Sequence, residues 1–506
     1  MIGKDTILLY NPRPNPHLKP LDVPLALLAI SRFLDKEGWD IKIISENLYE
    51  NHFDIIRDEA RRAIIFGVTS MTGFQISNGI KASRIAKEAN PSIKVIWGGW
   101  HPSLYPAQTL ENEYIDIIIK GQGERPFYEV AKEISAQGNF QGISGVHWKE
   151  KGKIYSNPDR QLEPLDGLPP VPYHLIDLEK CMVETEFGSR TTNYVSSYGC
   201  PFRCGFCCEQ TVNSRKWVGL NSGSVLDELE NLQNRYRVNG VSMYDSNFFV
   251  DINRAKAILK GMLDRKLTLR LGNIDGRTKQ LAEADDELWE LLQATRCYSI
   301  LTGAESGSQD ALDLIKKDLQ VEDNIKFAQK CHQYGIKVVF STLAGLPISG
   351  KSYSEIAQTT DRHIKCTVGM FDKVLALDSR HRALMFLYCP YPGTPLYENA
   401  LKLGFKEPKS LQDWSRFTLY RKNTPWITRR QEFLVGMLSS YIFMFLDSDT
   451  ILWVKERIKN KFIRAIFILA FGIFTKAARL RWKYKYFGCP LDYYLFLFAK
   501  SRNKSI

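Results

Sequence analysis

Short apolar runs alternate with stretches of helical period through residues 1–145. Residues 7–10, 40–45, 63–69, 94–97 and 115–119 read as strands, and 25–36 and 76–89 as helices. Strands this short and apolar, separated by helices, predict a parallel sheet covered on both faces, a doubly wound Rossmann-like α/β domain. Residues 146–190 carry Pro and Gly with little periodicity and read as a linker. From 191 to 400 the alternation restarts, with strands expected at 194–197, 240–244, 267–273, 298–302, 337–343 and 383–388. Helices at 224–237, 285–294 and 321–334 fit between them. Six such units predict a full or partial TIM-type β/α barrel, whose site would lie at the carboxyl ends of its strands. Residues 401–506 read as a helical region, with an apolar run over 465–474 set between basic residues.

Composition changes this picture little. Hydrophobic residues at 44% and charged residues at 25% are ordinary for a globular chain and exclude a disordered one. No apolar run approaches the ~20 residues that cross a bilayer, which excludes a polytopic membrane protein. The apolar stretch ahead of Asn11 and Pro12 is too short for a secretory signal, so a cytoplasmic location with reduced cysteines is expected.

Charge changes it more. The formal net charge is +12, yet residues 451–506 hold 13 Lys and Arg against Glu456 and Asp492, leaving the rest nearly neutral. Lys455, Arg457, Lys459, Lys461 and Arg464 precede the apolar run, and Lys476, Arg479, Arg481, Lys483 and Lys485 follow it. With Trp453, Phe462, Trp482, Tyr484, Tyr486 and Phe487, the segment suits peripheral contact with anionic lipid at the inner face of a membrane. An apolar helix packed on the barrel with a solvated basic face fits equally, and aromatic stacking on RNA is a weaker third reading.

Four strand ends of the first domain offer ground for a ligand: the loop after Tyr10, Thr69-Ser70-Met71-Thr72-Gly73, Gly98-Gly99-Trp100-His101-Pro102 and Gly121-Gln122-Gly123-Glu124. Open α/β sheets bind ligands beyond the carboxyl ends of their strands, and glycines let backbone approach a bulky group. The strongest chemical signal follows the first barrel strand. Cys200-Pro-Phe-Arg-Cys204-Gly-Phe-Cys207 is a C-x3-C-x2-C spacing, and four of the ten cysteines fall within nine residues. Soft thiolates suit zinc or iron–sulfur clusters. Zinc needs a fourth ligand, usually from a second knuckle, and none follows; Cys208 is poorly placed beside Cys207. A four-iron cluster held by three cysteines instead leaves one iron open to a small molecule.

Cys200, Cys204 and Cys207, with Phe206 before the last, resemble the radical S-adenosylmethionine (SAM) superfamily. Asn11-Pro12, Gly98-Gly99-Trp100-His101-Pro102 and Gly121-Gln122-Gly123-Glu124 are similar to the cobalamin-binding domain of its B12-dependent branch, which includes methyltransferases and anaerobic cyclases. Asp245-Ser246-Asn247-Phe248, Gly303-Ala304-Glu305-Ser306, Gly345-Leu346-Pro347 and Pro392-Gly393-Thr394-Pro395 resemble its barrel motifs, so the likeness spans about residues 5–400. The resemblance implies a [4Fe–4S] cluster on the three cysteines and SAM on the open iron, cleaved by one electron to methionine and a 5′-deoxyadenosyl radical. It implies Glu305 at the SAM ribose, Gly345 near the adenine, and Asp245 and Asn247 at SAM or substrate. Thr69, Ser70, Gly98, Gly99, His101, Gly121 and Glu124 would face cobalamin. The Asp-x-His-x-x-Gly motif that places histidine on cobalt is absent: His17 has no acid two residues earlier and no glycine three later. The expected activity is methylation of an unactivated carbon, with anaerobic cyclisation as the alternative and a non-enzymatic cluster or cobalamin sensor as a third. Expected partners are a small or lipid-like substrate and an electron donor such as flavodoxin or ferredoxin. The N-terminal domain lacks the extra cysteines of the methylthio-adding tRNA enzymes, which argues against that subclass, and a nucleic-acid partner is not expected.

Overall fold

Five parallel strands, β1 (Thr6–Asn11), β2 (Asp40–Ser45), β3 (Ala63–Thr69), β4 (Lys94–Gly98) and β5 (Ile117–Ile119), lie in the order β2-β1-β3-β4-β5. The computed structural model describes residues 5–14, 23–418, 421–449 and 461–502, so His17, Trp453, Lys455, Arg457 and Lys459 lie outside the described residues. Helices α1 (Leu25–Lys36) and α4 (Glu124–Ala136) pack together, as do α2 (His52–Ala60) and α3 (Phe74–Ala89). Burial on both faces explains the near-continuous apolar reading of β1 and β3. In this strand order the direction of winding reverses between β1 and β3, which opens a crevice at the carboxyl ends there.

The stretch that read as a linker is in part sheet. Strands β6 (Val146–Glu150) and β7 (Lys153–Ser156) add antiparallel to β5. Their two-residue turn places Lys151 and Gly152 at φ 50° and 78°, a left-handed pair that matches the twist of a tight hairpin.

The second unit holds β8 (Val183–Thr185), β9 (Gly188–Tyr194), β10 (Ser197–Gly199), β11 (Trp217–Gly219), β12 (Gly240–Met243), β13 (Arg270–Gly272), β14 (Ile274–Gly276), β15 (Ser299–Glu305), β16 (Lys337–Ala344) and β17 (Arg382–Leu387). β9, β12 and β13 form one parallel run, and β14 to β17 another. β13 and β14 are halves of one strand broken at Asn273, whose φ is 49°. One half pairs with β12 and the other with β15, so a single left-handed residue turns the sheet and yields a six-stranded partial barrel. Helices α5 (Ser222–Tyr236), α6 (Ile252–Asp264), α7 (Asp286–Ala294), α8 (Val321–Gln333) and α9 (Tyr353–Leu377) surround it. The first barrel strand ends at Tyr194 rather than running on to Ser197. Ser197 begins instead the short β10–β11 ribbon.

A partial barrel leaves its last strand as an open edge. Helix α10 (Arg429–Met437) and the turns over 438–446 cover β17. Below them α11 (Lys461–Tyr484) and α12 (Leu491–Arg502) complete the helical C-terminal region. At the amino end of β16, Lys337 Nζ donates to Asp447 Oδ2 at 2.8 Å, and both side chains are buried. Tyr298 Oη donates to Asp449 at 2.7 Å.

Candidate functional site

The cysteine loop leaves and returns at one point, because Gly199 of β10 pairs with Trp217 of β11. Within it, the Cys207 amide and Gln210 Nε2 both donate to the Cys204 carbonyl, at 3.0 and 2.7 Å. The Gly205 amide donates to Ile315 O at 2.7 Å, and Gly205 O accepts from the Leu396 amide at 3.0 Å. The loop is thereby fastened to segments that follow β15 and β17. Cys200, Cys204 and Cys207 are free, partly exposed thiols. Burial raises the thiol pKa of Cys200 and of Cys207 above the ordinary value, so a thiolate there requires a metal or a cation. Arg277 Nη1 lies 3.8 Å from Cys204 Sγ, and its guanidinium stacks 3.9 Å over the Phe202 ring. Three soft donors beside a fixed cation suit an anionic iron–sulfur cube. Among the described residues no three His, Cys, Asp or Glu converge as one metal ion needs.

The barrel mouth beside this loop carries charge that burial makes expensive. Glu305 ends β15 with φ 58°, and its Oε1 accepts from Lys317 Nζ at 2.8 Å, both residues buried. Burial opposes the Lys317 charge, but Glu305 and Cys204 outweigh it and raise the ammonium pKa. Lys317 is therefore electrostatically coupled to both the cysteine loop and the acid at the end of β15. Burial, with Glu305 and Asp245 nearby, pushes the Asp275 carboxyl up to about 8 against the pull of Lys317. Asp245, just past β12, accepts from the Ser196 amide, from Ser196 Oγ at 2.8 Å and from Ser197 Oγ. Asn247 Oδ1 accepts from the Phe249 amide at 3.0 Å and shapes the turn after β12. Gly345, past β16, has φ 81°, and a Cβ there would meet Ile427 Cδ1 at 2.1 Å. Its carbonyl accepts from Trp426 Nε1 at 3.0 Å, so the C-terminal region packs directly on this glycine.

A cavity of about 350 Å³ joins the two units. Its floor is the carboxyl end of the first sheet: Thr69 ending β3 with Ser70 after it, Gly98 ending β4 with Gly99 after it, and Gly121 and Glu124 after β5. Small residues make that floor possible. Gly99 has φ 96°, and a Cβ there would meet Ser70 O at 2.9 Å. The opposite wall comes from the barrel: Tyr198 and Gly199 directly before Cys200, Glu209 after Cys207, and Ser246. Tyr198 Oη donates to Glu124 Oε1 at 2.9 Å across the junction, and burial raises the Glu124 carboxyl pKa. Ser246 Oγ donates to Glu209 Oε1, and Asn213 Nδ2 to Glu209 Oε2 at 2.6 Å. A wide, glycine-floored crevice at the point where the sheet's winding reverses fits a large, flat cofactor such as a corrin.

The structure thus gathers Thr69, Ser70, Gly98, Gly99, Gly121 and Glu124 on one cavity, and sets Glu305, Asp245, Asn247 and Gly345 at barrel strand ends. His101 is not on the cavity wall. It is fully buried behind the Gly98-Gly99 loop, with Nδ1 3.0 Å from Thr72 Oγ1 and the ring against Tyr105 and Trp414. Among the described residues its buried Nε2 has no hydrogen-bond partner. Sequence reasoning missed Tyr198, Glu209, Arg277 and Lys317. The first two border the cysteine motif and could have been found by their neighbourhood, whereas nothing local marks the other two.

Comparison with known proteins agrees with this arrangement. The B12 binding domain model matches residues 21–131 and the radical SAM superfamily model residues 194–361. An uncharacterized methyltransferase of Pyrococcus horikoshii is 26% identical, covering 75% of this chain and 78% of that protein. The anaerobic magnesium-protoporphyrin IX monomethyl ester cyclase of Rubrivivax gelatinosus is 26% identical over 81% of this chain and 72% of its own length. The radical S-adenosylmethionine methyltransferase TsrM of Kitasatospora setae, solved with cobalamin and a [4Fe–4S] cluster, shares the fold with a TM-score of 0.65 at 20% identity, covering 79% of this chain and 78% of that one. With a B12-type sheet facing a barrel that carries the three-cysteine loop, the chain belongs to the cobalamin-binding-domain branch of the radical SAM enzymes, whose cofactors are a [4Fe–4S] cluster, SAM and cobalamin.

Proposed function

We propose that this enzyme methylates an unactivated carbon of a small or lipid-like substrate in the cytoplasm, drawing its electron from a flavodoxin- or ferredoxin-type donor. The reading is carried by one observation: the cavity floored by Gly98, Gly99 and Gly121 has as its far wall the residues immediately before Cys200. When bound, the cluster and SAM supply the radical that activates the substrate carbon, and cobalamin supplies the methyl group. The protein's task is to hold these parts in reach of each other and to keep water out.

In this reading Cys200, Cys204 and Cys207 hold the cluster and Arg277 offsets its negative charge. Glu305 receives the ribose hydroxyls of SAM, and Lys317 orients that carboxylate through their 2.8 Å bond. Gly345 leaves its segment close to the adenine, while Asp245 and Asn247 fix the strand end that faces SAM or substrate. Thr69, Ser70, Gly98, Gly99, Gly121 and Glu124 cradle the corrin, and His101 supports the glycine loop from behind. Cyclisation is the second reading, favoured by the cyclase relative. Anaerobic turnover with SAM labelled on its methyl group, dithionite and hydroxocobalamin separates the two. Methylation yields 5′-deoxyadenosine, S-adenosylhomocysteine and label in the product. Release of 5′-deoxyadenosine without S-adenosylhomocysteine would overturn it.

A further inference from the structure

Among the described residues fourteen large hydrophobic side chains are exposed, and nine of them fall between 473 and 498. The helices that carry them are already packed by their other faces. On α11, Phe471 and Trp482 are buried against Phe445 and Phe443. On α12, Tyr493 and Phe496 are buried against Tyr441. A second apolar face therefore remains on each. Leu491, Tyr494 and Leu495 follow the i, i+3, i+4 spacing of one helical stripe, and Leu491 is 70% exposed. Ile473, Leu480 and Tyr484 form the matching stripe on α11. The two stripes are continuous, because Leu480, Tyr484 and Leu491 line a single hollow between the helices.

The charge on the exposed faces of the two helices has one sign, and Asp372 of α9 is taken up by Lys485 at 2.6 Å. Exposed Lys476, Arg479 and Lys483 punctuate the α11 stripe. Asp492, the sole acid in the two helices, is taken up by Arg481 at 2.5 Å and by Tyr441 Oη at 3.0 Å. No described helix is long and apolar enough to cross a membrane. Leucine and isoleucine seek hydrocarbon rather than base stacking, which disfavours nucleic acid. A second copy docked through the same face would bring like charges together.

We propose that the exposed faces of α11 and α12 form a docking surface for an anionic phospholipid bilayer, with the apolar stripes entering the interface and the lysines and arginine meeting lipid phosphate. Helices of this kind lie in the plane of the interface, and their long basic side chains reach up to the headgroups. The surface is separate from the cofactor cavity, so the inference stands whichever reaction the enzyme performs.

The test is vesicle co-sedimentation of the anaerobic full-length holoenzyme. Vesicles of phosphatidylcholine with about one-third phosphatidylglycerol should pellet it, with affinity at least about tenfold above phosphatidylcholine alone and weakened by high salt. Leu491→Glu with Leu495→Glu should lower binding at least about tenfold, and Lys476→Glu with Lys483→Glu should remove the preference for phosphatidylglycerol. In both variants 5′-deoxyadenosine formation and circular dichroism should match the parent. Failure of the parent to pellet, or pelleting unchanged by either pair, overturns the proposal. So does a parent dimer in sedimentation velocity that becomes monomeric in the Leu491→Glu, Leu495→Glu variant without any vesicle binding, since the face would then serve a second copy.

Discussion

His101 shows how one side chain can stabilise a binding loop without touching a ligand. It is wholly buried, it meets Thr72, Tyr105 and Trp414, and burial alone depresses its pKa from 6.5 to about 4. A histidine held neutral in the folded state takes up its proton only on unfolding across that window. Its contribution to stability is therefore complete above pH 6.5 and declines as pH falls toward 4, below which it changes no further. By linkage the loss between pH 7.5 and pH 5 should be about 2 kcal/mol. Urea unfolding of the parent and of His101→Gln at those two pH values should differ by that amount in their pH dependence. Equal dependence would mean that the imidazole is solvated.

The C-terminal region is fastened to the barrel by a buried ion pair, and its worth is measurable. Lys337 opens β16, and its partner Asp447 lies 110 positions further along. Removing the cation leaves a buried carboxylate that has lost its ion-pair partner, so Lys337→Met should cost about 3–5 kcal/mol, read as a lowered urea midpoint. Lys337→Met combined with Asp447→Leu should recover more than half of that, because the desolvated charge is gone. Such a pair leaves no trace in the sequence, since neither residue knows its partner until the fold is closed. The elements that were legible are those fixed by local signals. α1 runs from Leu25 to Lys36 as the apolar period implies, bounded by Pro24 and by Gly38 at φ 77°. β2 and β3 likewise occupy the expected residues. The β6–β7 hairpin escaped notice because its strands are short and half polar, and its Lys151-Gly152 turn resembles a loop. The break at Asn273 was equally hidden, because the curvature of the barrel, rather than any local preference, calls for its left-handed backbone.

The candidate site divides along the same line. The three cysteines were visible because their spacing is short-range, and the glycine loops because each closes a strand. The shared cavity was not, because its far wall comes from Tyr198, Gly199, Glu209 and Ser246, far along the sequence from a floor that ends at Glu124. Bonds across the junction hold the two units together: the Val23 amide donates to Asn193 Oδ1 at 3.0 Å, Arg32 Nη1 to Pro169 O at 3.2 Å, and Tyr105 Oη meets Tyr397 Oη at 3.0 Å. Two cofactor sites in one molecule should then be separable by filling one side of the cavity. Gly98 serves this purpose, for its φ is not left-handed and among the described residues a Cβ there would meet only Ile119 O, at 3.6 Å. A larger side chain is accommodated by the backbone but occupies the floor on which the corrin would rest. Gly98→Leu should fold with the parent's circular dichroism, keep its iron and sulfide, and still release 5′-deoxyadenosine from SAM under reduction. Its retention of hydroxocobalamin through gel filtration, followed by corrin absorbance, should fall at least about tenfold, a change worth about 1.4 kcal/mol or more. Parent-like corrin retention would place the cofactor away from the β4 loop, and loss of the iron would mean that the two units do not load independently.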